Sequence, residues 1–460
     1  LDRALFGLGA TGPHAVNVVL HAASTALLFL LLRRFGIGAV AAFSGALLFG
    51  LHPVQTECVA WLSCRGDLLA MTLIFVAILL DLSGRTGLAL AAGAAALLAK
   101  EQAIVWPALA WIASRLAGRD WRDATRRAVA PLAAVGVFLV LRKVVGVVNS
   151  QEGGLGLGRA GAPQIASMLG HQVWYSLVPV GALFDWQMPW DVHPAPVVLA
   201  ATATVPALAW RPTRLATLWF LAALVPTLFV QAAMPLNIAV CDRWLLFALP
   251  ALAILAARAV ERVGPAPAIV AALSFVALTE TEIPVWHSDA TLWSATARAE
   301  PSHWRANSWL GQEALSAGRY DEALQRFGTA AHSGDDALTW CMYAQSLERA
   351  SYVGKDAAKT AEARSAYARA VVLFESPRAA GRAAFLSTAL LGVAETTLVL
   401  GDKEGAAAEL RRLVERPRLE MPDRFAPAFE ARVARVAAAV ETHLQDPRLA
   451  ADLRRWGGVR

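Results

Sequence analysis

Between residues 14 and 283 apolar positions run in long stretches broken by short polar clusters. A helix of about 20 apolar residues crosses a hydrocarbon core, and shorter ones suffice where neighbours shield them. The runs 14–32, 37–51, 67–83, 86–99, 103–117, 127–147, 195–210, 214–232, 243–261 and 265–283 therefore predict ten membrane helices, with 86–99 and 103–117 short enough to form a hairpin. The stretch 164–184 is apolar but carries His171, Gln172, Trp174 and Tyr175, which suits a helix at the interface or re-entering it.

Past Pro284 the runs give way to amphipathic helical periodicity. From Trp304 onward, Leu310, Gly311, Ala314, Gly318, Tyr320, Ala323, Phe327 and Ala330 fit the 34-residue tetratricopeptide template of two packed helices. A second pair is predicted over 338–350 and 359–375, stretched by an insertion near 352–359, with Ala363, Tyr367 and Ala370 on template. A third spans 381–400 and 403–416, and helices near 424–444 and 447–456 cap the stack. The expected fold is all-α: a polytopic membrane domain over 1–283 and a tetratricopeptide-repeat α-solenoid over 284–460.

Charge sharpens the division. Of 460 residues, 57% are hydrophobic and 17% charged, against roughly 25% charged in soluble proteins. The first 283 residues hold 19 Lys+Arg and 14 Asp+Glu, about 12%, while the rest hold 23 and 22, about 25%. Of the net +6, +5 sits in the apolar part, dispersed between runs, which excludes a basic nucleic-acid face and makes the lipid bilayer the expected partner. Lys and Arg favour the cytoplasmic side. If 164–184 does not cross, Arg33, Arg34, the arginines of 115–127, Arg211 and Arg214 fall on that side, a bias of twelve to seven, and the C-terminal domain lies outside. Residue 1 then stands on the outer side, so a further helix is expected upstream. Cys58 and Cys64 share a loop and can pair in an oxidising compartment.

With this topology Glu57, Asp67, Glu101, Asp185, Asp191 and Asp242 line the outer rim, beside Arg65, Lys100, Arg243 and Arg142. Charges beside a membrane are costly. These either form a site for a charged, partly lipidic substrate or pair with one another as loop charges. His14, Asn17 and His21 share one helical face. No Gly-rich phosphate loop and no metal-ligand spacing occurs, since His14 and His21 are seven apart.

Four segments carry a resemblance: 13–21, 52–70, 99–102 and 241–244. They resemble the protein O-mannosyltransferases with transmembrane and tetratricopeptide repeats, of the GT-C class, which use polyprenyl-phosphate sugars. His14, Asn17, His21, His52, Pro53, Glu57, Val59, Arg65, Asp67, Leu69, Lys100, Glu101 and Arg243 match that pattern. Cys64 stands where Gly is usual, and Trp244, Leu245 and Leu246 where an aromatic pair is expected. The stretch 177–186 is also similar.

The resemblance implies transfer of a sugar, mannose in the family, from a polyprenyl phosphate to a hydroxyl of an extracytoplasmic protein acceptor. The lipid-linked sugar is a co-substrate, and no cofactor or metal is implied. Arg243, Arg65 and Lys100 become the phosphate-facing cations, with His52 a further donor. Glu57, Asp67 and Glu101 become the catalytic carboxylates, and His14, Asn17, His21 and Asp242 polar support. The family's first-loop acidic pair is not within these residues, which fits either a truncated start or loss of the pair, and a non-catalytic, membrane-anchored repeat scaffold is the other reading. The spans show no two-half repeat, which argues against a transporter. The repeats are expected to recruit an acceptor or partner, and Ala- and Arg-rich usage points to a bacterial inner membrane with a periplasmic repeat domain.

Overall fold

The computed structural model describes residues 9–146, 162–179, 194–233, 241–334, 336–376, 385–416 and 425–459, and these are helical with no strand among them. The chain divides into two compact units, one reaching Leu292 and the other beginning at Trp293.

The first unit contains α1 (Thr11–Arg34), α2 (Ala39–Gly50), α3 (Gln55–Ala60), α4 (Arg65–Leu82), α5 (Thr86–Ala99), α6 (Trp106–Leu116) and α7 (Trp121–Val144). It continues with α8 (Ala162–Leu177), α9 (Pro194–Ala209), α10 (Arg211–Ala233), α11 (Leu249–Val263) and α12 (Ala266–Glu282). Each of the ten apolar runs contains a helix, and among the described residues five segments are long and apolar enough to cross a membrane: Thr11–Arg34, Leu62–Leu82, Trp121–Val144, Arg211–Phe229 and Ala266–His287. The 12 residues of α2 rise about 18 Å, short of a core of about 30 Å. Chain breakers set these lengths: His52 and Pro53 follow α2, and Gly264 and Pro265 follow α11.

Leu28, Leu31, Leu32, Met71, Ile74, Phe75, Trp106, Trp219 and Phe247 form the shared core of this unit. Leu132, Val137 and Val140 on α7, and Ile269, Val270 and Leu273 on α12, remain exposed. Exposed apolar faces of this kind on long apolar helices mark a lipid-facing surface. The unit has two polar ends. At one, Arg119 and Arg127 bridge to Asp81 near the C-terminus of α4, at 3.3 and 3.1 Å. At the other, Asp67 sits in the first turn of α4, about 21 Å away along the helix axis.

After α13 (Asp289–Ala299), the second unit stacks helical hairpins: α14 (Trp304–Ser316) with α15 (Tyr320–Ser333), α16 (Ala337–Gly354) with α17 (Ala357–Phe374), and α18 (Leu386–Val399) with α19 (Lys403–Glu415). Helices α20 (Ala426–Ala439) and α21 (Pro447–Gly457) follow. Side-chain caps start several of them: Asp336 accepts from Thr339 N, Asp356 from Ala358 N and Lys359 N, Asp402 from Gly405 N, and Asp446 from Leu449 N. The insertion expected near 352–359 is taken up by a longer first helix and a tight turn. Helix α16 runs on to Gly354, Lys355 turns left-handed at φ 50°, and Asp356 caps α17. Close helix approach uses the small template positions: a Cβ on Gly392 would come within 2.5 Å of the Tyr367 ring.

Candidate functional site

The polar face of α1 holds the segment between α2 and α4. Asn17 Nδ2 donates to the carbonyls of Val59 at 3.2 Å and Trp61 at 3.4 Å. Its Oδ1 accepts from Arg65 Nε at 3.2 Å, and Arg65 Nη2 reaches the Pro13 carbonyl at 3.0 Å. His21 Nε2 bonds the Gly50 carbonyl at 2.9 Å. The i, i+4 spacing of Pro13, Asn17 and His21 therefore presents successive turns of α1 to one loop. Asn17 and His21 act as struts, while His14 is half-buried one turn from the same face.

That strut fixes the charged residues. The backbone N–H of Arg243 donates to Glu57 Oε2 at 2.9 Å, and the guanidinium donates to Oε1 of the same carboxylate. Trp61 and Trp244 flank the guanidinium, with ring centroids 4.9 and 5.8 Å from its carbon. Glu57 is buried, and burial raises its carboxyl above the usual range while Arg243 pulls it back down. Lys100 Nζ lies 3.0 Å from Asp67 Oδ2. Burial alone would lower the Lys100 ammonium, but Asp67 holds it above its ordinary value. Gly66 makes this pairing possible, because a Cβ there would stand 2.9 Å from the Ala99 carbonyl and push α4 off the end of α5.

The structure thus brings Arg65, Lys100, Arg243, Glu57 and Asp67 to one end of the unit, each already engaged. Both oxygens of Glu57 accept from Arg243, which leaves neither placed to take a proton from a hydroxyl. Glu101, in the 3₁₀ turn Glu101–Val105, is the exposed carboxylate of the group.

His52 is corrected. Its Nε2 faces the Ser176 carbonyl at 3.2 Å, and a carbonyl can only accept, so Nε2 carries the hydrogen. Burial lowers the ring to about 4, against the pull of that bond, so it is neutral at pH 7. Nδ1 is then a bare lone pair and cannot donate to a phosphate. Cys58 and Cys64 are both buried free thiols. Asp185, Asp191 and most of 177–186 lie outside the described residues.

Three further residues stand out by their burial: two glutamines that the sequence does not mark as site residues, and Asp242, expected only as polar support. Gln55, Gln172 and Asp242 are 3%, 2% and 5% exposed, and Gln55 Nε2 and Oε1, Gln172 Oε1 and Asp242 Oδ1 have no hydrogen-bond partner. Buried polar atoms are rarely left this way. Asp242 opens the 3₁₀ turn Asp242–Leu245, which packs on both α3 and α8. The signal was present: Gln55 lies within the 52–70 segment and Gln172 was one of the polar residues that made 164–184 ambiguous.

Fold and site together define an all-helical protein in which helices apolar enough to span a membrane precede tetratricopeptide-type hairpins. No known family profile matches the chain. Over 62 residues it is 40% identical to the protein O-mannosyl-transferase Tmtc1 of Drosophila melanogaster, a stretch that is 14% of this chain and 7% of that protein. The crystal structure of yeast Tom70 aligns with 94% of this chain and 99% of its own, at 14% identity and a TM-score of 0.26, too loose a likeness to carry weight.

Proposed function

We propose that this protein is a membrane glycosyltransferase that moves a sugar from a polyprenyl phosphate to a hydroxyl of an extracytoplasmic protein acceptor. The observation that carries the reading is the cluster at the start of α4, where Arg243 with Glu57 and Lys100 with Asp67 meet at one end of lipid-type helices. The 40% identity to an O-mannosyl-transferase over 62 residues supports it.

In this reading the acceptor oxygen attacks the anomeric carbon and gives its proton to Glu101. The bond from that carbon to the phosphate oxygen breaks, and its electron pair leaves on the polyprenyl phosphate. Arg243 and Lys100 face the charge that grows there. Glu57 and Asp67 aim these cations rather than act as bases, and Arg65 braces the loop against α1. The repeats recruit the acceptor, and the membrane is a bacterial inner membrane.

The test is transfer of labelled mannose from polyprenyl-phosphomannose by the full-length protein in membranes. Arg243→Ala strands the buried Glu57, so the rate is read per folded molecule, and on that basis it should fall by about 10²–10³. Undiminished transfer removes Arg243 from the site. The capture of Glu57 and Asp67 in ion pairs favours a second reading, a membrane-anchored repeat scaffold without activity. That reading stands if the intact wild-type protein transfers no sugar.

A further inference from the structure

The buried amides and acid beside Arg243 have an arrangement that ion pairing does not explain. Gln55 stands one turn after His52, whose ring bonds the Ser176 carbonyl; Gln172 stands one turn before Ser176 on α8. Asp242 begins the turn that packs against both α3 and α8, and Tyr175 lies within electrostatic reach of it. The turn that opens with Asp242 thus packs on the two helices that carry Gln55 and Gln172, and the three residues together hold four buried polar atoms without a partner. Leaving such atoms unmet is unfavourable unless something fills their bonds.

The chemistry of the set is specific. Gln55 offers both a donor and an acceptor, and Gln172 an acceptor. Asp242 is buried beside Glu57 and Glu282, and burial first, then those acids, lift its carboxyl well above the usual range. That direction favours the acid form, which both donates and accepts. A phosphate needs donors alone, and a carboxyl group opposes it. Vicinal hydroxyls, each both donor and acceptor, match a neutral set of mixed polarity.

We propose that Gln55, Gln172 and Asp242 form a hydroxyl-reading subsite that takes the sugar ring of the lipid-linked donor, next to the Arg243–Glu57 pair that faces its phosphate. This deepens the transferase reading and rests on it.

Binding of two probes to the full-length protein in nanodiscs tests it: polyprenyl phosphate, and the mannosyl phosphate of the same polyprenol. Wild type should prefer the sugar-bearing lipid by at least tenfold. Gln55→Met together with Gln172→Met should erase that preference, leave the bare lipid phosphate bound as before, and raise the ligand-free melting temperature. Asp242→Asn, which keeps a neutral donor and acceptor, should retain the preference, and Asp242→Leu should lose it. A double variant that keeps the preference overturns the subsite, as does one that melts earlier and weakens both lipids equally, since that is a structural role. Wild type binding both lipids equally overturns the subsite while the lipid-phosphate donor stands. Wild type binding neither overturns the transferase reading with it.

Discussion

The two units each set an arginine against a carboxylate with little exposure, and the two sites differ in how many of the surrounding polar atoms find partners. In the repeat unit, Arg432 Nη2 donates to Glu348 Oε2 at 2.7 Å and to the Tyr367 hydroxyl at 3.1 Å, and Nε donates to Glu395 Oε2 at 2.8 Å. Tyr367 in turn donates to Glu348 Oε2 at 2.6 Å. This network joins α16, α17, α18 and α20 and is self-sufficient. In the membrane-type unit, Arg243 pairs with Glu57 among the described residues, and Gln55, Gln172 and Asp242 keep polar atoms without a hydrogen-bond partner. An arginine paired with an enclosed carboxylate is therefore no mark of a site by itself. An incomplete hydrogen-bond inventory around it is the better indicator, because a closed network stabilises a fold and an open one awaits a partner.

The largest effect should come from opening the closed network. Arg432→Ala strands Glu348 and Glu395, and breaking a buried pair costs about 3–5 kcal/mol. Chemical denaturation followed in the repeat unit of the intact chain should show that loss, with lipid binding unchanged. Burial already holds Glu348 above its ordinary value, with Arg432 pulling it down. Without the guanidinium the folded value rises further, so the variant's folding takes up a proton. Its deficit is then greatest at neutral pH and shrinks as pH falls through that raised value and below the ordinary carboxylate range. A deficit that does not change with pH would count against stranded carboxylates as its cause.

A smaller effect is expected at the helix crossing that Gly392 permits. Gly392→Ala places a methyl within 2.5 Å of the Tyr367 ring, and overpacking of this kind costs about 1–3 kcal/mol. Because Tyr367 also bonds Glu348 and Arg432, the strain is transmitted into the network. The double variant with Arg432→Ala should therefore lose less than the sum of the two singles; strict additivity would separate the crossing from the network.

Much of this was readable in the chain. The repeat hairpins follow from Ala323, Phe327, Ala363 and Tyr367 at template spacing, because small and large residues must alternate where two helices touch. The 52–70 segment, Lys100 and Arg243 were identified as one set, and the structure brings them to one end. The pairing was not readable: Glu57 and Arg243 are 186 residues apart, and nothing local distinguishes Glu57 from Asp67 as Arg243's partner. The lengths of the helices were less legible, since the runs 37–51 and 243–261 give helices of only 12 and 15 residues, Ala39–Gly50 and Leu249–Val263. Gln55 and Gln172 were undervalued because their meaning lies in bonds they fail to make, which only a packed structure exposes.

The smallest predicted effect concerns His52, which sits on the border between the loop and the open polar set. It is 5% exposed, its ring lies edge-on to Phe275 with centroids 4.7 Å apart, and Nε2 is committed to Ser176. Its folded value is about 4, below the ordinary 6.5, chiefly through burial. The unfolded chain therefore binds more protons between these values, so His52 contributes stability that is present above about pH 6.5 and is lost as pH falls toward 4. One such group changes stability by at most about 1.36 kcal/mol per pH unit. His52→Gln keeps a donor for the Ser176 carbonyl and does not titrate, so its melting temperature between pH 7 and 5 should fall less steeply than that of wild type. Sugar transfer, if His52 only braces the loop, should keep the same pH profile in both. A profile that moves in the variant would return His52 to the phosphate.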